Sequence, residues 1–419
     1  MGPAVADPVS VTDIDLSPLP GKVYFDTARE WWEEFIYFLM VDRFQDSEAR
    51  TPVLSPARSL GVQTPNDFYG GTLAGVRDNL GYIAGLGCTA IWLSPVFENN
   101  PHAYHGYDVN NYLSLDPHFG TKQDLIDLVD AAHRRNPAMR VILDVVINHS
   151  GDNWFYPGNL PHYYYNDMRF CFRGWRRPDG PIPSELVNPD LYHRRGSITG
   201  NGWDTLPERF SSTVREYAES LGKRNFFLFG EAASPDDGLY DHYIGPNTSA
   251  DDTGTVFFGL DSVLDFRLAM GVPLRDVIKG FTPAQSLLDR LAAQENRAVN
   301  RGQLGRYLVT FVDKHDSFWQ PAGRIGAQAP GEQVIAAIGY LLCALGTPCI
   351  YYGTEQGFQG SGGDNQMREA MFDTSSPGRN LLNTDCTIYR EIAKIAQVMR
   401  SQAPLRFGRM YFRQISGDG

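Results

Sequence analysis

Seven short apolar runs punctuate the chain, most of them finish in polar or charged residues, and amphipathic stretches lie between them. The runs are FIYFLMVDRF (Phe35–Phe44), TAIWLSPVF (Thr89–Phe97), RVILDVVINHS (Arg140–Ser150), NFFLFGEAA (Asn225–Ala233), TVFFGLDSVLDF (Thr255–Phe266), RYLVTFVDKHDS (Arg306–Ser317) and GTPCIYYGTEQG (Gly346–Gly357). A strand covered on both faces reads as a near-continuous apolar run, and its alternation with helical patterns marks βα units on a parallel sheet. TKQDLIDLVDAAHRR shows the helical half: Thr121 is placed to cap, with Leu125, Leu128, Val129 and Ala132 on one face. Val76–Leu86 carries a similar pattern, as does SSTVREYAESLG. The expected fold is α/β, a TIM-type (β/α) barrel with an insertion after strand 3; the 419 residues would also accommodate two or three domains.

In a parallel barrel the reactive groups stand at the C-terminal ends of the strands. Three runs end in candidates: Asp144, Asn148 and His149; Glu231; His315 and Asp316. Glu231, after FLFG, is placed for partial burial and acid/base work, and reads equally well as a structural ion pair at a barrel rim. His315–Asp316 can bind hydroxyls or close a strand with a turn. His149, taken alone, reads as a satisfied histidine.

Bulk properties exclude several classes. Lys+Arg 37 against Asp+Glu 49, spread along the chain, gives −12 and argues against nucleic acid or an anionic membrane as partner. Cys88, Cys171, Cys343, Cys349 and Cys386 form no CxxC pair, which argues against a disulfide framework or zinc site and for a reducing compartment. The first residues have neither a basic nor an apolar leader pattern, and no apolar run approaches the roughly 20 residues of a spanning helix. The expectation is a cytoplasmic protein. Aromatics crowd into Trp154–Trp175, as packing of a small subdomain or as platforms for sugar rings.

Taken together and in order, these blocks resemble the α-amylase superfamily of glycoside hydrolases over nearly the whole chain. DVVINH (Asp144–His149) is similar to that family's first signature, which makes Asn148 a calcium ligand, His149 a sugar contact and Asp144 a structural residue of the site. FLFGEAA resembles the acid/base signature and puts that role on Glu231. FVDKHDS resembles FVxNHD, which gives sugar binding to His315 and transition-state stabilisation to Asp316, with Lys314 where Asn is usual. YHGYDVNNYLSLDPHFGT (Tyr104–Thr121) is similar to the block whose tyrosine, here Tyr107, stacks on the sugar. GTPCIYYGTEQG matches the family's last barrel strand, and DNQMREAMF matches the segment after that strand. The resemblance implies retaining hydrolysis or transfer at α-glucosidic bonds of an α-glucan, oligosaccharide or disaccharide, calcium, and no organic cofactor.

One block is missing. Between the third-strand signature and the acid/base glutamate the family carries a fourth strand ending in GFRxD, whose Asp is the nucleophile. No GxRxD occurs in this chain. Asp204, in GWD, has Gly, Trp and Thr for neighbours and reads as a loop residue. The expected organisation is therefore a first barrel part (1–149), a loop-rich aromatic insertion (150–208), the barrel remainder without its fourth strand and the helix before it (209–404), and a truncated C-terminal β-domain beginning at 405–419. The alternatives are a non-catalytic α-glucan-binding relative and a partial chain of a longer hydrolase.

Overall fold

The computed structural model describes residues 8, 10–25, 29–48, 51–53, 67–147, 149, 151, 154–155, 174–175, 206–250, 256–271, 274–295, 298–299, 302–317, 323–327, 329–374 and 378–410. Asn148, Asp204, most of the expected insertion and residues 411–419 lie outside them.

All seven apolar runs supply a strand to one curled parallel sheet: β1 (Ile36–Leu39), β2 (Ala90–Leu93), β3 (Arg140–Leu143), β4 (Phe229–Gly230), β5 (Ser262–Leu264), β6 (Leu308–Thr310) and β7 (Thr347–Tyr351). Their order across the sheet is β3-β2-β1-β7-β6-β5-β4. The first and last strands of the run pair directly, Ile36 opposite Cys349 and Phe38 opposite Tyr351, as barrel closure requires. Between β3 and β4 no pairing occurs among the described residues, so the sheet is open where a strand between them in sequence would stand.

Burial follows that topology. Every residue of β1, β2 and β7 is buried, whereas β3 is only partly covered and Leu143 is 41% exposed. The amides of Arg140 and Asp144 donate to Thr89 and Leu93 on the β2 side. Alternation along a strand turns those of Val141 and Leu143 toward the open edge.

The helices form for the expected local reasons. In α1 (Lys122–His133) the Thr121 side chain accepts from the Asp124 amide while Asp124 accepts from the Thr121 amide, a reciprocal capping box that leaves Leu128 and Ala132 buried. The Val76–Leu86 stretch divides into two helices, Leu73–Asp78 and Leu80–Leu86, at Asn79. The helix that precedes β4, α2 (Leu206–Ser220), begins inside the segment assigned to the insertion.

Two expectations need correction. TVFFGLDSVLDF is not one strand: Val256–Phe258 pairs antiparallel with Pro246–Ala250, and only Ser262–Leu264 joins the main sheet. Gly259 lies at the break, against the Tyr243 carbonyl oxygen, where a Cβ has no room. Leu405–Phe407, read as the start of a β-pattern, closes a short helix (Ala403–Phe407), with Pro404 in the first turn, where a missing amide hydrogen is harmless.

Candidate active site

The ends of β3, β4 and β6 and a loop over them bring the candidates together. Asp144 follows β3 directly, Glu231 follows β4 directly, and Lys314, His315 and Asp316 lie a few residues beyond β6. Beneath them Phe38 of β1 stacks on Trp92 of β2 with ring centroids 4.0 Å apart and meets the His315 ring edge-on at 5.1 Å. Tyr107 comes from the loop between two short antiparallel strands, Phe97–Asn99 and Val109–Leu115. Gly106 turns the chain there with φ +87°, and a Cβ on it would run into the Pro95 carbonyl oxygen, so only glycine delivers Tyr107 to the site.

Tyr107 is the hub. Its ring stacks on His315 at 5.0 Å, its hydroxyl donates to Asp144 Oδ2 at 3.1 Å, and its carbonyl oxygen lies 3.0 Å from His149 Nε2. His149 and His315 each keep a buried Nδ1 with no hydrogen-bond partner among the described residues. Buried polar atoms are normally paired, so these two nitrogens are exceptions to that rule among the described residues.

Asp316 lies between cations. Arg368 donates to its Oδ1 at 3.0 Å, and Lys314 Nζ is 3.1 Å from its Oδ2. Burial alone would raise this carboxyl, but His315, Lys314 and Arg368 outweigh burial and hold it at about 2. Burial drives the His315 imidazole down to about 3, so it is neutral near pH 7. Asp144 goes the other way: desolvation, with Glu231 as a like charge nearby, pushes it to about 7 against the Tyr107 hydrogen bond.

Glu231 departs from expectation. Its side chain is 40% exposed, at the edge of the sheet with no strand beyond it among the described residues, and Lys314 Nζ lies 2.5 Å from its Oε1. Lys314 is itself buried, with its nitrogen 4.6 Å from the Phe266 ring centre.

The structure thus gathers Tyr107, Asp144, His149, Glu231, His315 and Asp316 at the C-terminal ends of the strands. Asn148, the expected calcium ligand, lies outside the described residues. Among those described, no group of three or more His, Cys, Asp or Glu is placed to hold a metal. Sequence reasoning passed over Arg368, although DNQMREAMF contains it; it bonds both the His315 carbonyl oxygen and Asp316. Its place in a family-like block just after the last strand was the available signal.

Comparison with known proteins places the chain among amylase-like sequences and folds. The family profile described as alpha amylase, catalytic domain, matches residues 38–167. The chain is 26% identical to an α-amylase of Streptomyces lividans, over 90% of this chain and 52% of that protein. It is 30% identical to a β/α-amylase of Paenibacillus polymyxa, over 95% of this chain and 33% of that protein. It therefore spans from a third to about half the length of these two relatives. A crystal structure of an α-amylase from Geobacillus thermoleovorans, complexed with acarbose, superposes with a TM-score of 0.62 at 28% identity, covering 90% of this chain and 81% of that one.

Proposed function

This chain belongs to the α-amylase family of glycoside hydrolases, and from that premise we propose that its site acts on α-glucosidic bonds. Glu231 is the acid/base, Asp316 the stabiliser of the oxocarbenium-like transition state, and Tyr107, His149 and His315 are the sugar contacts. One observation carries the reading: Glu231 and Asp316 meet on the Lys314 nitrogen beside the Tyr107–His315 stack. A glycosidic oxygen there would lie within reach of Glu231 for proton transfer, while the anionic Asp316 would face the cationic sugar.

A second reading, an α-glucan-binding relative that does not cleave, draws on a different observation. Among the described residues nothing pairs between β3 and β4, and the sequence lacks the GxRxD block that would stand there. Without that block a double displacement lacks its nucleophile.

Sugar release from malto-oligosaccharides and sucrose by the purified 419-residue chain separates the two, with Glu231→Gln as control and circular dichroism to check folding. Glu231-dependent turnover is expected on the first reading. Malto-oligosaccharide binding with no release by a folded chain would establish the second, and neither binding nor release would overturn both.

Calcium at Asn148 rests on the resemblance, and a melting temperature unchanged by added calcium would count against it. Among the described residues no helix is long and apolar enough to cross a membrane. A cytoplasmic location belongs to the proposal and is supported by Cys88, Cys343, Cys349 and Cys386, all free thiols. Cell fractionation checks it.

A further inference from the structure

Lys314 stands in FVDKHDS where the resemblance calls for an uncharged asparagine. An ammonium that is only 4% exposed has lost most of its water and must find acceptors in the protein. It finds two carboxylates from different strands: Glu231 at 2.5 Å and Asp316 at 3.1 Å.

The two acceptors are not equally constrained. Asp316 is held on its other oxygen by Arg368, which in turn donates to the His315 carbonyl oxygen. Glu231 follows a two-residue strand at the open edge of the sheet, and its side chain is 40% exposed. An exposed glutamate with no anchor samples many rotamers, and holding it in one costs side-chain entropy. Lys314 is anchored by burial, with its nitrogen against the Phe266 ring. The charges therefore alternate along a row of contacts, Arg368, Asp316, Lys314, Glu231, of which Glu231 is the most exposed.

We propose that Lys314 is a positioning residue, the buried cation that holds Glu231 in place beside Asp316 at an edge where, among the described residues, no neighbouring strand does so. A shorter, uncharged side chain at this position supplies neither the reach nor the charge. The proposal rests on reading Glu231 and Asp316 as the working carboxylates, and its first test is independent of any sugar.

That test is a double-mutant cycle on the full chain, read by melting temperature, with Lys314→Met, Glu231→Gln and the double variant. A Glu→Gln change at an exposed position ordinarily does little, but with the bridge present Glu231→Gln should lower the melting temperature by about 2 °C. In the Lys314→Met background the same change should cost nothing or raise it, since it relieves two facing carboxylates. Additive effects would overturn the bridge. Should Lys314→Met fail to fold, Glu231→Gln in the natural chain decides alone, and an unchanged melting temperature overturns the proposal.

Turnover of malto-oligosaccharides supplies the second readout. Lys314→Met should lower kcat about 100-fold with KM within about twofold, because positioning acts on the chemical step. Lys314→Arg, which keeps a cation, should recover at least about a tenth of the rate. Equal losses in both variants, or a loss confined to KM, would overturn the positioning role. A natural chain that binds but does not turn over malto-oligosaccharide defeats the catalytic reading alone, and the cycle still decides the bridge.

Discussion

The ring of Tyr107 stacks on that of His315, 10° from parallel with centroids 5.0 Å apart, while its hydroxyl bonds Asp144. One side chain thereby joins β3 and β6, strands that do not pair in the sheet. Tyr107→Phe keeps the ring and loses the Asp144 bond, so malto-oligosaccharide affinity should change little. Tyr107→Ala removes the platform and should weaken affinity about 10-fold, from the roughly 0.5–1.5 kcal/mol of an aromatic contact plus lost burial. Isothermal titration on both variants checks this, and equal losses would show that the hydroxyl, not the ring, does the binding.

Asp144 should make stability fall as pH rises. Its carboxyl is raised to about 7 in the fold, above the value of about 4 in an unfolded chain, so the fold favours its protonated form. That advantage is full below about pH 4 and is lost as pH rises through about 7. Asp144→Asn should therefore raise the melting temperature near pH 8 and have little effect near pH 4, measured by thermal denaturation. A gain of the same size at both pH values would mean that the carboxyl titrates normally.

Asp316 has the opposite sign. Held at about 2, it stabilises the fold above the unfolded value of about 4, and this contribution is lost as pH falls through about 2. Asp316→Asn should be less stable than the natural chain near neutral pH and should converge with it in strong acid, as acid-titration curves of the two proteins would record.

The open edge makes a prediction about amide exchange. Val141 and Leu143 turn their amides away from β2, so they should exchange at least about 100-fold faster than Tyr37 and Leu39 in the centre of the sheet. Exchange followed by NMR or mass spectrometry reads this directly. Equal protection would mean that another strand covers β3 in solution.

Thr121→Ala should cost about 1 kcal/mol of unfolding free energy by breaking the reciprocal cap with Asp124. Asp124→Ala in that background should cost more again, because it removes the bond from the Thr121 amide to the Asp124 carboxylate, which Thr121→Ala leaves in place. Denaturant titration of the single and double variants measures both.

Much of the fold was legible because its determinants are local. Short apolar runs such as IYFL and AIWL, alternating with amphipathic stretches, read as strands covered on both faces, and Thr121 with Asp124 marks a helix start within four residues. The split of TVFFGLDSVLDF was not legible, because the apolar pattern continues through Gly259 while the packing around that glycine does not. Asp144, His149, Glu231, His315 and Asp316 could be named from their places at strand ends and in ordered motifs, as could the absence of GxRxD. What the tertiary structure alone decided is how they face one another. Lys314 reaches two carboxylates from different strands, Arg368 backs Asp316 from a distant segment, and the edge between β3 and β4 leaves Glu231 in solvent. The reason is physical: periodicity and capping depend on near neighbours in the chain. Desolvation and charge pairing depend on which remote groups the sheet brings together, and that is why Asp144 and Asp316, both aspartates at strand ends, are driven in opposite directions.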